Sequence, residues 1–323
     1  MTLVKKVLNK LNGLHYQQEY LCFSKEALVQ PLHVYLTKEG QIIKDITDQH
    51  LFTGYNPLII ALAGESHLPL PVNITIIFTQ KVFLPNDFFD QKAALADLSL
   101  RLAHRLSAGS YTLYFFEGIK GQHRFIHPFY QYMIGLNNRL YNRKKGNVFL
   151  HDNLYKQVQI AYSVPRIISL ITVGHGELYN LFPTDLHGPV NNDYYAGSLR
   201  YNGKACRQVE QSRTILLTEV NSEFYKAAYL LGKNHMQELK PKESFPLSSR
   251  VSPNLQLPVP LSALRYRELD LVDSFTHGIH RLFNFKIISF QQVENIPSTL
   301  AHIHNVYATW RYNQHLPGNY LLR

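Results

Sequence analysis

From about Tyr155 onward, short apolar runs of strand length recur between Gly, Pro and Asn, without the alternation of strands and helices that a parallel sheet requires. "RIISLITV" (166–173) is apolar enough to be buried on both faces, and "RTILLTEV" (213–220) is a second such strand. "RLFNFKIISF" (281–290) alternates, with Phe283, Phe285 and Ile287 on one face and Asn284 and Lys286 on the other. One helix interrupts the series. Asn221 or Ser222 caps it, Phe224, Ala227, Ala228 and Leu231 form its stripe, and Gly232 ends it. "KPKESFPLSSRVSPNLQLPVP" (240–260) reads as an excursion over the surface. Five or more strands with one or two helices predict an antiparallel barrel and exclude a doubly wound sheet.

A length of 323 residues suits two domains, and the change of texture sets the boundary at 150/151. Residues 1–150 are expected to form an α+β domain. "HVYLTKEGQIIKDI" (33–46) reads as a hairpin turning at Glu39-Gly40, and "VNITIIFTQKVFL" (72–84) as a buried strand. Leu95, Leu98, Leu102 and Leu106 recur at helical spacing up to Gly109 and predict a helix. "SYTLYFFEGIKGQHRFI" (110–126) predicts a hairpin turning near Gly118–Gly121. The opening "MTLVKKVLNKLNGL" reads as a basic amphipathic helix lying on its own domain. No internal repeat stands out.

The formal charge of +10 favours anionic partners, phosphorylated cofactors among them. The basic residues are scattered, and the one compact run, Arg143-Lys144-Lys145, reads as a solvated turn, which argues against nucleic acid. No apolar run has the length of a membrane span, and no signal-peptide core follows the start. Cys22 and Cys206 stand far apart and form no CxxC, so neither a disulfide framework nor a zinc site is expected and a reducing cytoplasm is the default. His302 and His304 fall on an expected C-terminal helix, where residues two apart point about 200° apart and cannot share a metal ion.

The segment "LYNLFPTDLHGP" (178–189) sets Asn180, Thr184, Asp185 and His187 among Pro183, Gly188 and Pro189. Many hydrogen-bonding side chains on proline-stiffened backbone lose little ordering entropy if they engage a ligand. Downstream, "SLRYNGKACR" offers Ser198, Arg200, Lys204 and Arg207 to an anion, with Gly203 allowing close backbone approach.

The order of these signals resembles the flavin reductase-like, FMN-binding split-barrel family over residues 155–295. A strand from Pro165-Arg166 to Thr172 leads to Asn180 and "FPTD", then to "SLRYNGKACR", then to Gly278-Ile279-His280 before a late strand. The resemblance implies a C-terminal antiparallel split β-barrel with an additional N-terminal α+β domain. It implies FMN as cofactor and NAD(P)H as reductant. Thr172, Asn180, Pro183, Thr184 and Asp185 would border the isoalloxazine ring, and Ser198, Arg200, Lys204 and Cys206 the phosphate and ribityl chain. His280 would be the catalytic candidate, positioning nicotinamide or protonating flavin. "NNDYYAGS" stands where many relatives carry a Pro-Pro pair, with Tyr194 and Tyr195 as a replacement wall.

Other readings of the same residues are structural. Asn180 and Thr184 satisfy turn amides, Arg200 and Lys204 guard a strand edge, and His280 fills a barrel rim. A non-catalytic flavin-binding protein is the alternative function. A six-stranded barrel is filled by its own side chains, so a flavin needs an outer wall. The family binds flavin at a two-fold interface, and 21 Tyr and 18 Phe suit one, so a homodimer is expected. In the competing arrangement, residues 1–150 supply that wall.

Overall fold

The computed structural model describes residues 11–67, 69–90, 93–141, 148–316 and 321–322. Most of the basic opening helix and the Arg143–Lys145 run therefore lie outside the described residues. A first strand, β1 (Tyr20–Ser24), is followed by β2 (His33–Lys38), β3 (Gln41–Asp45), β4 (His50–Tyr55), β5 (Leu58–Glu65), β6 (Asn73–Thr79), β7 (Ala96–Ala108) and β8 (Tyr111–His123). Strands β2 to β8 form one antiparallel sheet in the order β3-β2-β6-β7-β8-β5-β4. Helices α1 (Pro128–Tyr141) and α2 (Asp152–Ala161) follow.

The next strands are β9 (Arg166–Ile167), β10 (Ser169–His175), β11 (Leu178–Thr184), β12 (His187–Pro189) and β13 (Tyr194–Arg200). Helix α3 (Lys204–Ser212), β14 (Thr214–Val220) and the short helix α4 (Tyr225–Leu230) come next, then β15 (Lys240–Pro241), β16 (Leu247–Val251) and β17 (Pro258–Pro260). Long strands β18 (Ala263–His277) and β19 (His280–Gln292), then β20 (Leu300–His304), α5 (Asn305–Asn313) and β21 (Leu321–Leu322) complete the chain. The second large sheet runs β12-β13-β19-β18-β14-β10-β11-β15, and a small sheet, β21-β1-β20-β9, ties the two ends of the chain together.

Among the described residues no strand ladder closes the second sheet into a barrel. Its edge strand β12 is instead joined by the chain itself to β11, the last strand but one on the other side: only Asp185 and Leu186 separate the two, and the Ser198 amide donates to the Leu186 carbonyl at 2.9 Å. Inside the curl, Ile171, Phe182, Leu217, Leu269, Phe283 and Phe285 form an apolar core. The other face of β19 is buried too. Leu282 packs with Ile59, Leu113 and Phe115 of the first sheet, and the Asn284 amide donates to the Ser107 carbonyl at 3.0 Å.

Several local expectations give way to tertiary pairing. The leucines of 95–106 lie on strand β7, not on a helix; Ala96, Leu98 and Leu100 are buried alternately, and pairing with β6 and β8 overrides the helical spacing. Gly118 and Gly121 do not turn a hairpin but sit inside strand β8. A Cβ at Gly118 would lie 2.0 Å from Gln157 Oε1, so the missing side chain is what lets α2 lie on the sheet. "RIISLITV" breaks in two, because the Ile168 amide turns to donate to the Leu300 carbonyl and moves the chain between sheets. Residues 178–184 form β11 rather than a loop. Helix α3 was not legible at all. His302 and His304 lie on strand β20, and α5 starts at Asn305, with the His304 ring accepting from the Val306 amide as its cap.

Among the described residues no helix is long and apolar enough to cross a membrane, and both Cys22 and Cys206 are buried free thiols.

Candidate functional site

At the join between β11 and β12 the curled sheet leaves a cavity of about 360 Å³. Pro183, Thr184 and Asp185 form one wall, Ser198 and Arg200 at the end of β13 a second, and His280 at the start of β19 a third. Register explains the gathering, since Arg200 is the ladder partner of His280. The first turn of α3 completes the floor with Gly203, Ala205 and Cys206. No side chain caps that helix, so its leading N–H groups present partial positive charge to the cavity beside the Arg200 guanidinium.

Of the residues expected at the site, Arg207, Tyr194 and Tyr195 do not line this cavity, and neither do Thr172, Asn180 and Lys204. Thr172 is fully buried between Leu181 and Leu216 in the sheet, with no hydrogen-bond partner for its hydroxyl. Asn180 is fully buried; its amide donates to Gln208 Oε1 (2.7 Å) and the Asn234 carbonyl (3.0 Å), and its oxygen accepts from the Leu181 amide. It braces β11 against the segment after α4. Lys204 turns to Glu238 at 2.6 Å.

The first sheet supplies the remaining wall. The turn between β4 and β5 reaches over the end of β19, so that Tyr55 lines the cavity and its hydroxyl accepts from Arg200 Nε at 2.5 Å. Ser198 Oγ donates to the Thr53 carbonyl at 2.5 Å. The approach is close because Gly278 has no side chain: a Cβ there would sit 2.3 Å from the Asn56 carbonyl oxygen, and its φ of +58° lies in the left-handed region. Gly278→Ala should therefore lower stability by about 1–3 kcal/mol. A midpoint in urea unchanged from the parent would show that the turn does not seat there.

His280 is 1% exposed, and its Nε2 accepts from the Tyr55 amide at 3.4 Å. That bond leaves the ring proton on Nδ1, which has no partner. Burial, with the Arg200 charge added, pushes the imidazole down to about 4, so it is neutral at physiological pH. A buried donor without an acceptor is costly unless a ligand provides one.

Asp185 has its charge matched within the protein. Burial alone would raise its pKa, but Arg166 at 3.5 Å, His302 Nε2 at 2.9 Å and the Tyr162 hydroxyl outweigh burial and hold the carboxyl well below its usual range. The residue also borders two further chambers. One, of about 430 Å³, is walled by Tyr20, Tyr55, Tyr155, Tyr162, Tyr229 and His302, and Tyr55, Asp185 and Arg200 separate it from the first. The other, of about 160 Å³, lies toward Ala228 and Ile168. Tyr55, Arg166 and His302 are thus site residues that sequence reasoning missed as such. Among the described residues no group of three His, Cys, Asp or Glu side chains is placed to hold a metal ion.

No family model and no curated protein matches the chain. Solved structures resemble parts of it. An FMN-binding protein from Thermus thermophilus with bound p-hydroxybenzaldehyde is 17% identical, over 40% of this chain and 72% of its own, with a TM-score of 0.36. The NADH:FAD oxidoreductase SgcE6 of Streptomyces globisporus C-1027 is 12% identical, over 47% of this chain and 89% of its own, with a TM-score of 0.40. BorF, the flavin reductase component of a bacterial two-component tryptophan halogenase, is 14% identical, over 47% of this chain and 94% of its own, with a TM-score of 0.41.

Proposed function

We propose that the chain is an FMN-binding oxidoreductase of the flavin reductase type, built on a split barrel and using NAD(P)H as reductant. The observation that carries this reading is the convergence on one cavity of Arg200, the uncapped amino end of α3 and the neutral imidazole of His280. A guanidinium and helix N–H groups suit a phosphate, and a neutral imidazole beside them suits the edge of a flat heterocycle. The cavity lies within the range of cofactor sites, and an aromatic chamber with room for a second ring lies on the other side of Tyr55, Asp185 and Arg200.

FMN, when bound, supplies the chemistry, accepting hydride and passing electrons onward. The chain's part is placement. Arg200 and the amino end of α3 hold the phosphate, Pro183 and Thr184 edge the ring, and the Arg166 and His302 contacts keep Asp185 from presenting unbalanced negative charge to it. With a pKa of about 4, His280 donates one hydrogen bond as a neutral imidazole and has no proton to give away at neutral pH. It is therefore a positioning donor to the ligand rather than an acid.

The purified protein should be yellow and should bleach with reduced nicotinamide. A yellow protein that stays yellow would indicate a non-catalytic flavin binder, and one that cannot be reconstituted with flavin would refute both. Arg200→Ala should weaken FMN by about 1.5–3 kcal/mol, roughly ten- to a hundredfold, and riboflavin hardly at all. Equal losses for the two ligands would refute the phosphate assignment.

A further inference from the structure

The two large sheets have one topology. Matched in chain order, β2 to β8 correspond to β10, β11, β12, β13, β14, β18 and β19, and both sheets then run in the same strand order. The agreement extends to single residues. The β7–β8 and β18–β19 hairpins correspond at one constant offset, Gly109 to Gly278, and β8 and β19 have 13 residues each. Bulges at Ser99/Leu100 and Leu102/His104 recur at Glu268/Leu269 and Leu271/Asp273. Both turns carry a glycine with positive φ, +67° and +58°. Ser66 donates its amide to the Ser110 carbonyl, as Tyr201 does to Ile279. Leu100/Leu269, Leu102/Leu271, Leu113/Leu282 and Phe116/Phe285 are identical pairs. A bulge is an irregularity of one residue, and two of them matching in register is not demanded by packing a sheet.

The contacts between the two units are reciprocal. Asn56 and Pro57, in the β4–β5 turn, meet Gly278; Tyr194, at the β12–β13 turn, meets Gly109. Leu51 pairs with Ala61 in one unit and Gly188 with Ala196 in the other, and Leu51 and Gly188 touch each other. Matched residues that contact one another mark the axis of an isologous, two-fold interface.

We infer that the chain is a tandem duplication folded as a covalent two-fold pair, in which only one of the two equivalent positions is an anion site. The second position has the opposite chemistry. Glu65 stands where Arg200 stands, Tyr111 where His280 stands and Ala63 where Ser198 stands, each fixed by its ladder partner. The connection is also too short: β5 ends at Glu65 and β6 begins at Asn73, which leaves no room for a counterpart of the nine-residue α3. A carboxylate without a helix amino end repels the phosphate that Arg200 and α3 attract. The N-terminal unit has become a wall, contributing Thr53 and Tyr55 to its twin's site. The surface through which two separate subunits would share that site is covered within one chain.

Light scattering and an FMN titration of the full-length protein test both parts, the second of which rests on the flavin reading. The expected result is a single species of 37.4 kDa that binds one FMN per chain. Glu65→Ala and Tyr111→Phe should leave FMN binding within twofold, whereas Arg200→Ala weakens it tenfold or more. A species of twice the chain mass overturns the covalent pair, and two FMN per chain overturns the loss of the second site. Absence of FMN binding sinks the flavin reading alone, and the measured mass still decides whether the pair is complete in one chain.

Discussion

Replacing Arg166 with Met should cost the protein about 3–5 kcal/mol of stability, the range for removing one partner of a buried ion pair. The Arg166 side chain is 4% exposed, with its guanidinium 4.1 Å from the centre of the Tyr162 ring and 5.4 Å from that of Phe52. One terminal nitrogen donates to the Asp185 carbonyl at 3.0 Å and lies 3.5 Å from its carboxylate. Methionine fills much of the aliphatic volume but leaves Asp185 with His302 and the Tyr162 hydroxyl as its remaining partners. The Asp185 pKa should then rise, because burial is no longer opposed by the guanidinium. Arg166→Met combined with Asp185→Asn should recover part of the loss, since the stranded charge is gone, and the double-mutant cycle reads the coupling directly. A loss below about 1 kcal/mol for the single variant would mean that the pair behaves as an exposed one.

What the sequence reveals of this architecture follows from how local each signal is. "RTILLTEV" and "RLFNFKIISF" are legible as strands because their branched and aromatic residues suit a pleated surface whatever lies beside them. The leucines of 95–106 fit helical spacing and strand alternation equally well, and only the neighbours β6 and β8 decide between them. His302 and His304 show the same ambiguity at an element boundary: the helix they were placed on begins one residue later. The duplication escapes a reading of sequence altogether. Sheets tolerate wide exchange at each position, so the two units keep their bulges and turns while Arg200 faces Glu65 and His280 faces Tyr111 as counterparts.

The candidate site divides in a similar way. Pro183 to Asp185, Ser198, Arg200 and His280 come together because they sit at strand ends on one side of one sheet, and each is a residue type with an evident use there. Asn180 has the same chemical credentials, yet its amide is consumed in bracing β11, a role no spacing rule distinguishes from ligand contact. Tyr55 and Thr53 are invisible as site residues for another reason. They reach the cavity through the pseudo-two-fold packing of two units, and that is a property of the assembled fold rather than of any segment.

The same burial that shapes the site makes the fold acid-sensitive well above the range of ordinary carboxylates. His123, His187 and His280 are each pushed down to about 4, burial being the largest cause for all three. An imidazole whose folded pKa lies below its usual 6.5 binds its proton more readily in the unfolded chain. Its contribution is therefore fully present above about pH 6.5 and is lost as the pH falls toward 4. At pH 5 the linkage amounts to about 2 kcal/mol for each group, or roughly 6 kcal/mol for the three, a large share of the 5–15 kcal/mol that holds a typical domain together. Carboxylates with depressed pKa values, Asp185, Glu117 and Glu268 among them, add their own loss only at lower pH, so the window between 6.5 and 4.5 belongs to the histidines. Urea unfolding at pH 7 and pH 5 should show a clearly lower midpoint at pH 5. His123 is the residue to vary, because it lies outside the cavity and, among the described residues, its ring hydrogen-bonds to Gln159. His123→Gln should remove part of the difference between the two pH values, the rest staying with the other buried rings, His50 and His235 among them. An unchanged midpoint at pH 5, or a His123→Gln variant with the full parental difference, would mean that these rings are hydrated and titrate near their ordinary value.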